Sequence, residues 1–300
     1  MKILCICLSA TIQRTVIFDD LSLEKVNRSS YYLEHASGKA VNSARILNQL
    51  EEGSAQIVCP VGKNNEKHFL SLAEKDNLTI DFVETEGYTR QCWTLLDKAH
   101  KTTTELVVSE NSNSDFSREE IKILKIIQDL LPSYDAVLLS GSRPKGFSTD
   151  LYPLIAGMTK DCSKFFLADF IGDDLLNTIT AAIPDLIKIN DEEFLKTFNE
   201  SKPMDEKELK NAVIQKSTEL KNMIAVTRGE KPTLAADNGR FYEFPVEKVT
   251  TVNTTACGDS FNAGFLHEYL KTGDFIKALK KGTWCAARNA ESEIPGSIYQ

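Results

Sequence analysis

Paired cysteine chemistry is the first thing this chain lacks. Its seven cysteines are odd in number and irregularly spaced, so they make neither a disulfide framework nor a paired CxxC metal set. The four histidines (His35, His68, His100, His267) show no metal spacing either. There is no GxSxG elbow, and no GxGxxG follows the first apolar run. No segment reaches the length of a membrane span. Positive charge is scarce: 35 Lys+Arg against 43 Asp+Glu leave a net charge of −8 and no basic face for nucleic acid. A small anionic ligand would therefore need a locally positive pocket, because the overall field repels it. The opening Met1-Lys-Ile-Leu-Cys-Ile-Cys-Leu8 is too short for a signal peptide's apolar region and runs into Gln13-Arg14, so it reads as a buried first strand. These absences predict a cytoplasmic protein with reduced thiols, and neither a nucleic-acid nor a membrane partner. The two tryptophans, Trp93 and Trp284, read as packing residues.

What is present is a rhythm. With 42% apolar residues over 300 positions, the chain can bury a substantial core. Strand patterns fall at 2–8, 55–59, 79–83, 135–140, 164–168, 184–189 and 223–227. Helical patterns fall at 38–51, 64–76, 117–131, 148–160, 173–182, 205–221, 258–271 and 274–291. Continuously apolar strands such as Ala136-Val-Leu-Leu139 fit a parallel sheet covered on both faces. The alternation predicts a doubly wound α/β fold. Two extended, polar-alternating regions interrupt it, 13–35 and 88–108; they suit either a small β lid over the strand ends or a hairpin on the domain edge. The Ser/Asn-rich stretch 109–117 reads as a loop into a helix, with Asp115 or Ser117 as N-cap.

Several short segments can carry chemistry. In Asn253-Thr-Thr-Ala-Cys-Gly-Asp-Ser-Phe-Asn-Ala-Gly-Phe265 a polar turn leads through Gly258 to Asp259 and straight into an apolar-periodic helix. Backbone amides and a carboxylate then share one helix N-terminus, which suits phosphoryl transfer to a hydroxyl or simply caps a helix. Ser37-Gly-Lys-Ala-Val-Asn42 opens another helix; Gly38, Lys39 and Asn42 can contact a polar ligand or form a surface turn, but they are not a Walker loop. Ser140-Gly-Ser-Arg-Pro-Lys-Gly146 follows the strongest buried strand, at the carboxyl end where α/β sheets bind ligands. Arg143 or Lys145 there, and Arg90 elsewhere, are either anion ligands or solvated charges. Asn190 and Glu193, three apart at a helix start, form either a capping box or a water-mediated Mg²⁺ and phosphate site. Thr227 and Gly229 end a further strand, where backbone can approach a nucleotide.

Taken in order, Val26-Asn-Arg28, Ser37-Gly-Lys-Ala-Val-Asn-Ser-Ala-Arg45, Thr89-Arg90, Leu139-Ser-Gly-Ser-Arg-Pro-Lys-Gly146, Asp185-Leu-Ile-Lys-Ile-Asn190 with Glu193, and Gly258-Asp-Ser260 resemble the phosphofructokinase B group of ribokinase-like sugar kinases across essentially the whole chain. The branch of 1-phosphofructokinase and tagatose-6-phosphate kinase is most similar. The resemblance implies one ribokinase-like domain over 1–300, a β lid that often serves dimerisation, ATP and Mg²⁺ as cofactors, and a sugar or sugar phosphate as acceptor, with fructose 1-phosphate the first choice. It implies Asp259 as base and Ala256, Cys257 and Gly258 as the anion hole. It places Gln13, Gly38, Lys39, Asn42, Arg90, Ser140 and Arg143 at the sugar, and Asn190, Glu193, Thr227 and Gly229 at the nucleotide, Glu193 reaching metal only through water.

The departures are specific. Ser37-Gly-Lys-Ala40 stands for Gly-Gly-Lys-Gly, Gln13 for a sugar-gripping Asp, Ala256-Cys257 for Gly-Ala, and Pro232 for a glycine. At positive φ, Ala256 would cost roughly 1 kcal/mol or more. Cys257 reads either as a thiol activated by the helix N-terminus or as a small buried hydrophobe. The altered positions leave a second function open, a ligand-binding or regulatory relative with little turnover.

Overall fold

The computed structural model describes residues 1–108, 115–198 and 204–299. In chain order the elements are β1 (Ile3–Ile6), β2 (Thr11–Phe18), β3 (Tyr32–Ser37), α1 (Lys39–Leu50), β4 (Ala55–Gly62), α2 (Glu66–Lys75), β5 (Ile80–Thr85), β6 (Arg90–Asp97) and β7 (Thr102–Val108). There follow α3 (Ser117–Leu130), β8 (Ala136–Ser140), α4 (Leu151–Asp161), β9 (Phe165–Asp169), α5 (Asp173–Ala181), β10 (Leu186–Asn190), α6 (Asp191–Phe198) and α7 (Glu206–Leu220). The chain then makes β11 (Met223–Arg228), β12 (Lys231–Asp237), β13 (Arg240–Phe244), α8 (Cys257–Thr272) and α9 (Phe275–Ala290). Among the described residues no helix is long and apolar enough to cross a membrane.

The large sheet has the order β13-β12-β11-β10-β9-β8-β1-β4-β5, parallel from β11 to β5, with β12 and β13 antiparallel at one edge. Period-two alternation divides its core. Ile3, Cys5 and Cys7 join α1, α8 and α9 on one face, while Leu4, Ile6 and Leu8 join α3, α4 and α7 on the other. This is the expected doubly wound, mostly parallel architecture. The strand order reverses between β1 and β8, so the loops after these two strands part and leave a crevice at their carboxyl ends.

The two irregular regions join as a separate sheet in the order β3-β2-β6-β7, with β2 and β6 parallel and the outer pairs antiparallel. Of the two arrangements open from the sequence, the separate sheet is the one formed. It starts at Thr11 and ends β3 at Ser37, slightly wider than the 13–35 pattern. Contacts tie it to the large body. Thr255 Oγ1 donates to Glu105 Oε1 at 2.9 Å, and Tyr31 Oη donates to Glu293 Oε2 at 3.0 Å.

Two expectations need correction. Neither Asp115 nor Ser117 is the N-cap of α3; Phe116 holds that position, and Asp115 accepts the Ser117 N–H at 3.0 Å from one residue further out. Residues 109–114 of that loop lie outside the described residues. The strand patterns stop at 227 and leave out the β12–β13 hairpin, yet Asn238-Gly239, with φ of 47° and 82°, is a two-residue hairpin turn of the most favoured kind.

Candidate active site

Gly38 sets the first part of the site. Its φ is 123°, and a Cβ there would lie 2.7 Å from Cys7 Sγ and 3.1 Å from the Ser9 carbonyl oxygen. Only glycine lets the start of α1 press against the end of β1, and this places Lys39 and Asn42 beside the crevice. Gly141, at the end of β8, approaches Ser9 Oγ and Lys39 Cβ from the other side.

Asp169 closes β9 with no solvent exposure and gathers four donors. Lys39 Nζ reaches its Oδ1 at 3.3 Å, while Lys188 Nζ at 3.3 Å, Ser140 Oγ at 3.2 Å and Asn262 Nδ2 at 2.6 Å converge on Oδ2. Burial alone would raise this carboxyl, but Lys188 and then Lys39 overcome it and hold it down at about 2. Lys39 is held protonated, its pKa raised chiefly by Asp169.

Asp259 lies in the first turn of α8 and is 6% exposed. Asn42 Nδ2 donates to its Oδ2 at 2.8 Å, and Ser43 Oγ donates to its backbone carbonyl at 2.9 Å. Burial raises its pKa to about 6, helped by the charge of Asp169; Lys39, the Asn42 bond and Lys188 pull the other way. Directly beneath this turn is Lys188, whose Nζ would stand 2.5 Å from a Cβ at position 258. Glycine there lets an ammonium approach the helix N-terminus, whose first amides have no intrahelical acceptor.

The residues ahead of Gly258 settle a question left open by the sequence. Ala256 has φ 67° and ψ 10°, so the left-handed turn is made without glycine. It is braced on both sides. Asn289 Nδ2 donates to the Thr255 carbonyl at 2.8 Å, Asn253 Oδ1 accepts the Thr255 N–H at 2.9 Å, and Ser260 Oγ donates to the Ala256 carbonyl at 2.8 Å. Asn289 is fully buried and also accepts the Gly296 N–H at 2.7 Å. Cys257 is no activated thiol: burial pushes it up to about 11, against the donation of Asn289 Nδ2 to its sulfur at 3.4 Å. Relieving the strain should be measurable. Ala256→Gly is expected to gain roughly 0.5–1 kcal/mol, the left-handed penalty less the extra freedom of unfolded glycine. A chemical-denaturation midpoint at or below that of the wild type would show that the turn is unstrained.

Asn190 and Glu193 form the reciprocal capping box: Glu193 Oε2 accepts the Asn190 N–H at 2.9 Å, and Asn190 Oδ1 accepts the Glu193 N–H at 2.8 Å. Glu193 Oε1 still turns inward to Lys39 Nζ at 3.4 Å, so the cap belongs to the same charge cluster. Thr227 pairs in register with Asn190 across β10–β11, and Gly229 follows at φ 58°. Gln13 is 6% exposed on β2 and donates through Nε2 to Thr94 Oγ1 at 2.7 Å. Arg90, half-buried, donates through Nε to Thr11 Oγ1 at 2.6 Å and lines a cavity of about 30 Å³ with Ala10, Thr89 and Pro144.

Two expected ligand contacts are engaged within the protein. Arg143 Nε donates to Asp174 Oδ1 at 2.9 Å and its Nη1 to the Phe147 carbonyl at 2.6 Å, so its guanidinium braces the loop. Ser140 serves Asp169. Asp169, Lys188, Asn262 and Asn289 were not singled out from sequence. Lys188 carried a signal, as a lone cation inside the apolar strand Leu186-Ile-Lys-Ile189 that requires a buried partner. Among the described residues one group has metal-ligand character, Asp20, Asp97 and His100, at the ends of β2 and β6 in the small sheet. Asp97 there is occupied by its own turn, accepting the backbone N–H groups of Ala99 and His100.

The model of the pfkB family carbohydrate kinases matches residues 2–297. The chain belongs to that family. A tagatose-6-phosphate kinase of Staphylococcus epidermidis is 28% identical, the match covering 99% of this chain and 94% of the relative. The phosphofructokinase-2 of Escherichia coli in complex with fructose-6-phosphate superposes with a TM-score of 0.85 at 17% identity, covering 97% and 94% of the two chains. A ribokinase of Thermotoga maritima gives a TM-score of 0.72 at 18% identity, covering 100% and 96%. Those two structures establish the ribokinase-like fold. The pfkB membership makes the chain a carbohydrate kinase, a phosphotransferase with an alcohol acceptor.

Proposed function

We propose that the protein transfers the γ-phosphoryl group of ATP to a primary hydroxyl of a ketohexose monophosphate, with Asp259 as the base. One observation carries this reading: a buried carboxylate with a pKa near 6 stands at a helix N-terminus directly above the ammonium of Lys188. The acceptor hydroxyl gives its proton to Asp259 Oδ1, the oxygen that Asn42 leaves open. Its oxygen forms the new bond to phosphorus as the bond to the ADP leaving oxygen breaks. Charge growing on the transferring group meets the first-turn amides of α8 together with Lys188 and Lys39. The sheet β3-β2-β6-β7 acts as a lid that excludes water, already touching the anion-hole turn through Glu105 and Thr255.

The residues present fit a hydrated Mg²⁺. Both Glu193 oxygens carry protein partners, which leaves lone pairs to hold the ion through water but no vacant carboxylate for direct ligation. When bound, the ion would neutralise charge on the ATP phosphates. Arg90, whose guanidinium keeps its outer nitrogens available, is the proposed holder of the acceptor's phosphate, with Gln13, Gly38 and Asn42 on the sugar; Asn190, Thr227 and Gly229 flank the nucleotide. Fructose 1-phosphate remains the first choice, and tagatose 6-phosphate is the alternative named by the relative. Both are ketohexoses with a primary hydroxyl at the end opposite the phosphate, so one site geometry serves either. A lid-to-lid homodimer is proposed with the same reading.

The test is ADP release over fructose 1-phosphate, fructose 6-phosphate, tagatose 6-phosphate, unphosphorylated sugars and nucleosides. Turnover with a ketohexose phosphate, lost in Arg90→Ala through a raised KM, supports the assignment. Binding of ATP and sugar without turnover on any acceptor would instead favour a regulatory relative.

A further inference from the structure

Asn42 touches the proposed base with a group whose chemistry depends on which way the amide points. Its Nδ2 faces Asp259, and its Oδ1 faces inward, where two groups meet it: Ser37 Oγ at 2.8 Å and Arg45 Nη1 at 3.2 Å. These two neighbours are not equivalent. A serine hydroxyl can donate or accept, so it tolerates either amide orientation; a guanidinium has donors only. The atom of Asn42 that faces Arg45 must therefore be oxygen, and the atom facing Asp259 must be the NH₂.

Arg45 is itself immobilised. It is 4% exposed on α1, and each of its three nitrogens is directed to an acceptor. Nε meets Asp76 Oδ2 at 3.0 Å, and Nη2 meets the same oxygen at 2.9 Å and also the Ala36 carbonyl at the end of β3. Nη1 meets Asn42 and, at 3.2 Å, the Pro295 carbonyl. Asp76 is in turn met by His35 Nδ1 at 3.2 Å. The guanidinium thus has no freedom to rotate away from the amide.

We propose that Arg45 is a positioning residue for phosphoryl transfer: its donor-only guanidinium fixes the Asn42 amide so that Asp259 always meets a hydrogen-bond donor. This rests on the reading of Asp259 as base. A donor stabilises the ionised carboxylate more strongly than the protonated acid, and so favours the ionised form. With the lock removed, Asn42 can turn its oxygen to Asp259, accept the acid's O–H and hold the proton that the base must be free of. The groups facing Asp259 from all sides are Asp169 on β9, Lys188 on β10, Lys39 and Arg45 on α1, and the thiols of Cys7 and Cys257. Losing the Arg45 charge and losing the lock both raise Asp259, so the variants must separate them.

The readout is the titration of the Asp259 ¹³Cγ resonance, which needs no turnover, beside the acid limb of kcat/KM for any acceptor that is turned over. Arg45→Met is expected to raise both by about one pH unit, a roughly tenfold loss on the acid side that fades at alkaline pH. Arg45→Lys keeps charge and donor-only character and should restore most of the wild-type titration. Ser37→Ala and Asp76→Asn should lower thermal stability yet leave the Asp259 titration in place, because neither frees the amide. An Asp259 titration unchanged in Arg45→Met, or shifted equally by Asp76→Asn, overturns the lock. Should Arg45→Met not fold, the wild-type protein decides. The Asn42 side-chain NH₂ proton signals must follow Asp259 through its titration as one slowly exchanging conformer, and amide signals indifferent to it overturn the proposal. Normal NMR behaviour without turnover on any acceptor would sink the kinase reading and leave the lock standing.

Discussion

Asp259→Asn is expected to lose activity and gain stability together. Removing a positioned base costs roughly 10²–10⁴-fold in kcat. The stability gain follows from the direction of the pKa shift. In the unfolded chain the carboxyl titrates at the ordinary 3.8, and in the fold at about 6. Below 3.8 both states are protonated and the group contributes nothing; as pH rises through this window the folded state is penalised, and above 6 the whole cost is present. Two pKa units correspond to roughly 3 kcal/mol as an upper bound. The asparagine variant has no charge to bury, and its Oδ1 can still accept from Asn42. At pH 7.5 it should therefore melt a few degrees above the wild type, with the difference vanishing near pH 4. In the wild type, turnover should fall as pH drops through about 6, because the proposed base is protonated there. A variant that melts lower than the wild type at pH 7.5 would mean that the carboxylate is stabilising and not strained. Equal turnover in the two proteins would remove Asp259 from the chemistry.

The large sheet was legible because burial on both faces leaves a plain mark, continuous apolar runs such as Ala136–Leu139 between helix-periodic segments. The β12–β13 hairpin left a weaker one. Its strand Lys231-Pro-Thr-Leu-Ala-Ala-Asp237 has a proline at its second position and relies on two alanines, so only the Asn238-Gly239 turn announces it. At the site, the residues that meet substrate by resemblance were legible as short motifs, while those that hold the charges were not. Asp169 and Lys188 are nineteen positions apart and become neighbours only because β9 and β10 pair in parallel. Arg143 shows the converse. Its place in a glycine- and serine-rich loop pointed to an anion, but Asp174 at the start of α5 reaches it first. Local sequence reports which groups are available; it does not report which acceptor lies closer. The conformation of Ala256 was undecidable in the same way, because what stabilises a left-handed alanine is Asn289, more than thirty positions downstream.

Asp169→Asn should have the second large effect, and its signature is opposite in pH. The carboxylate compensates two ammoniums in a site where Lys188 is 4% exposed and Asp169 itself has no exposure. Its pKa lies near 2, below the unfolded 3.8, so its stabilisation is complete above pH 3.8 and lost as pH falls toward 2. Neutralising it strands Lys188, and removing one partner of a buried pair costs about 3–5 kcal/mol. The melting temperature should fall well below that of the wild type. Adding Lys188→Met should return part of this loss, since the stranded ammonium is then gone and the two changes share one interaction. Turnover in the double variant should drop further if, as proposed, the charge under Gly258 meets the transferring phosphoryl group. The acid limb distinguishes this from simple unfolding. Asp169 is the negative charge that helps raise Asp259, while Lys39 and Lys188 lower it. Without that carboxylate only the lowering charges remain, so the residual activity of Asp169→Asn should persist to more acidic pH than that of the wild type. An acid limb that stays near 6 would show that burial alone sets the base, and that the four-donor hub at Asp169 braces the site without tuning it.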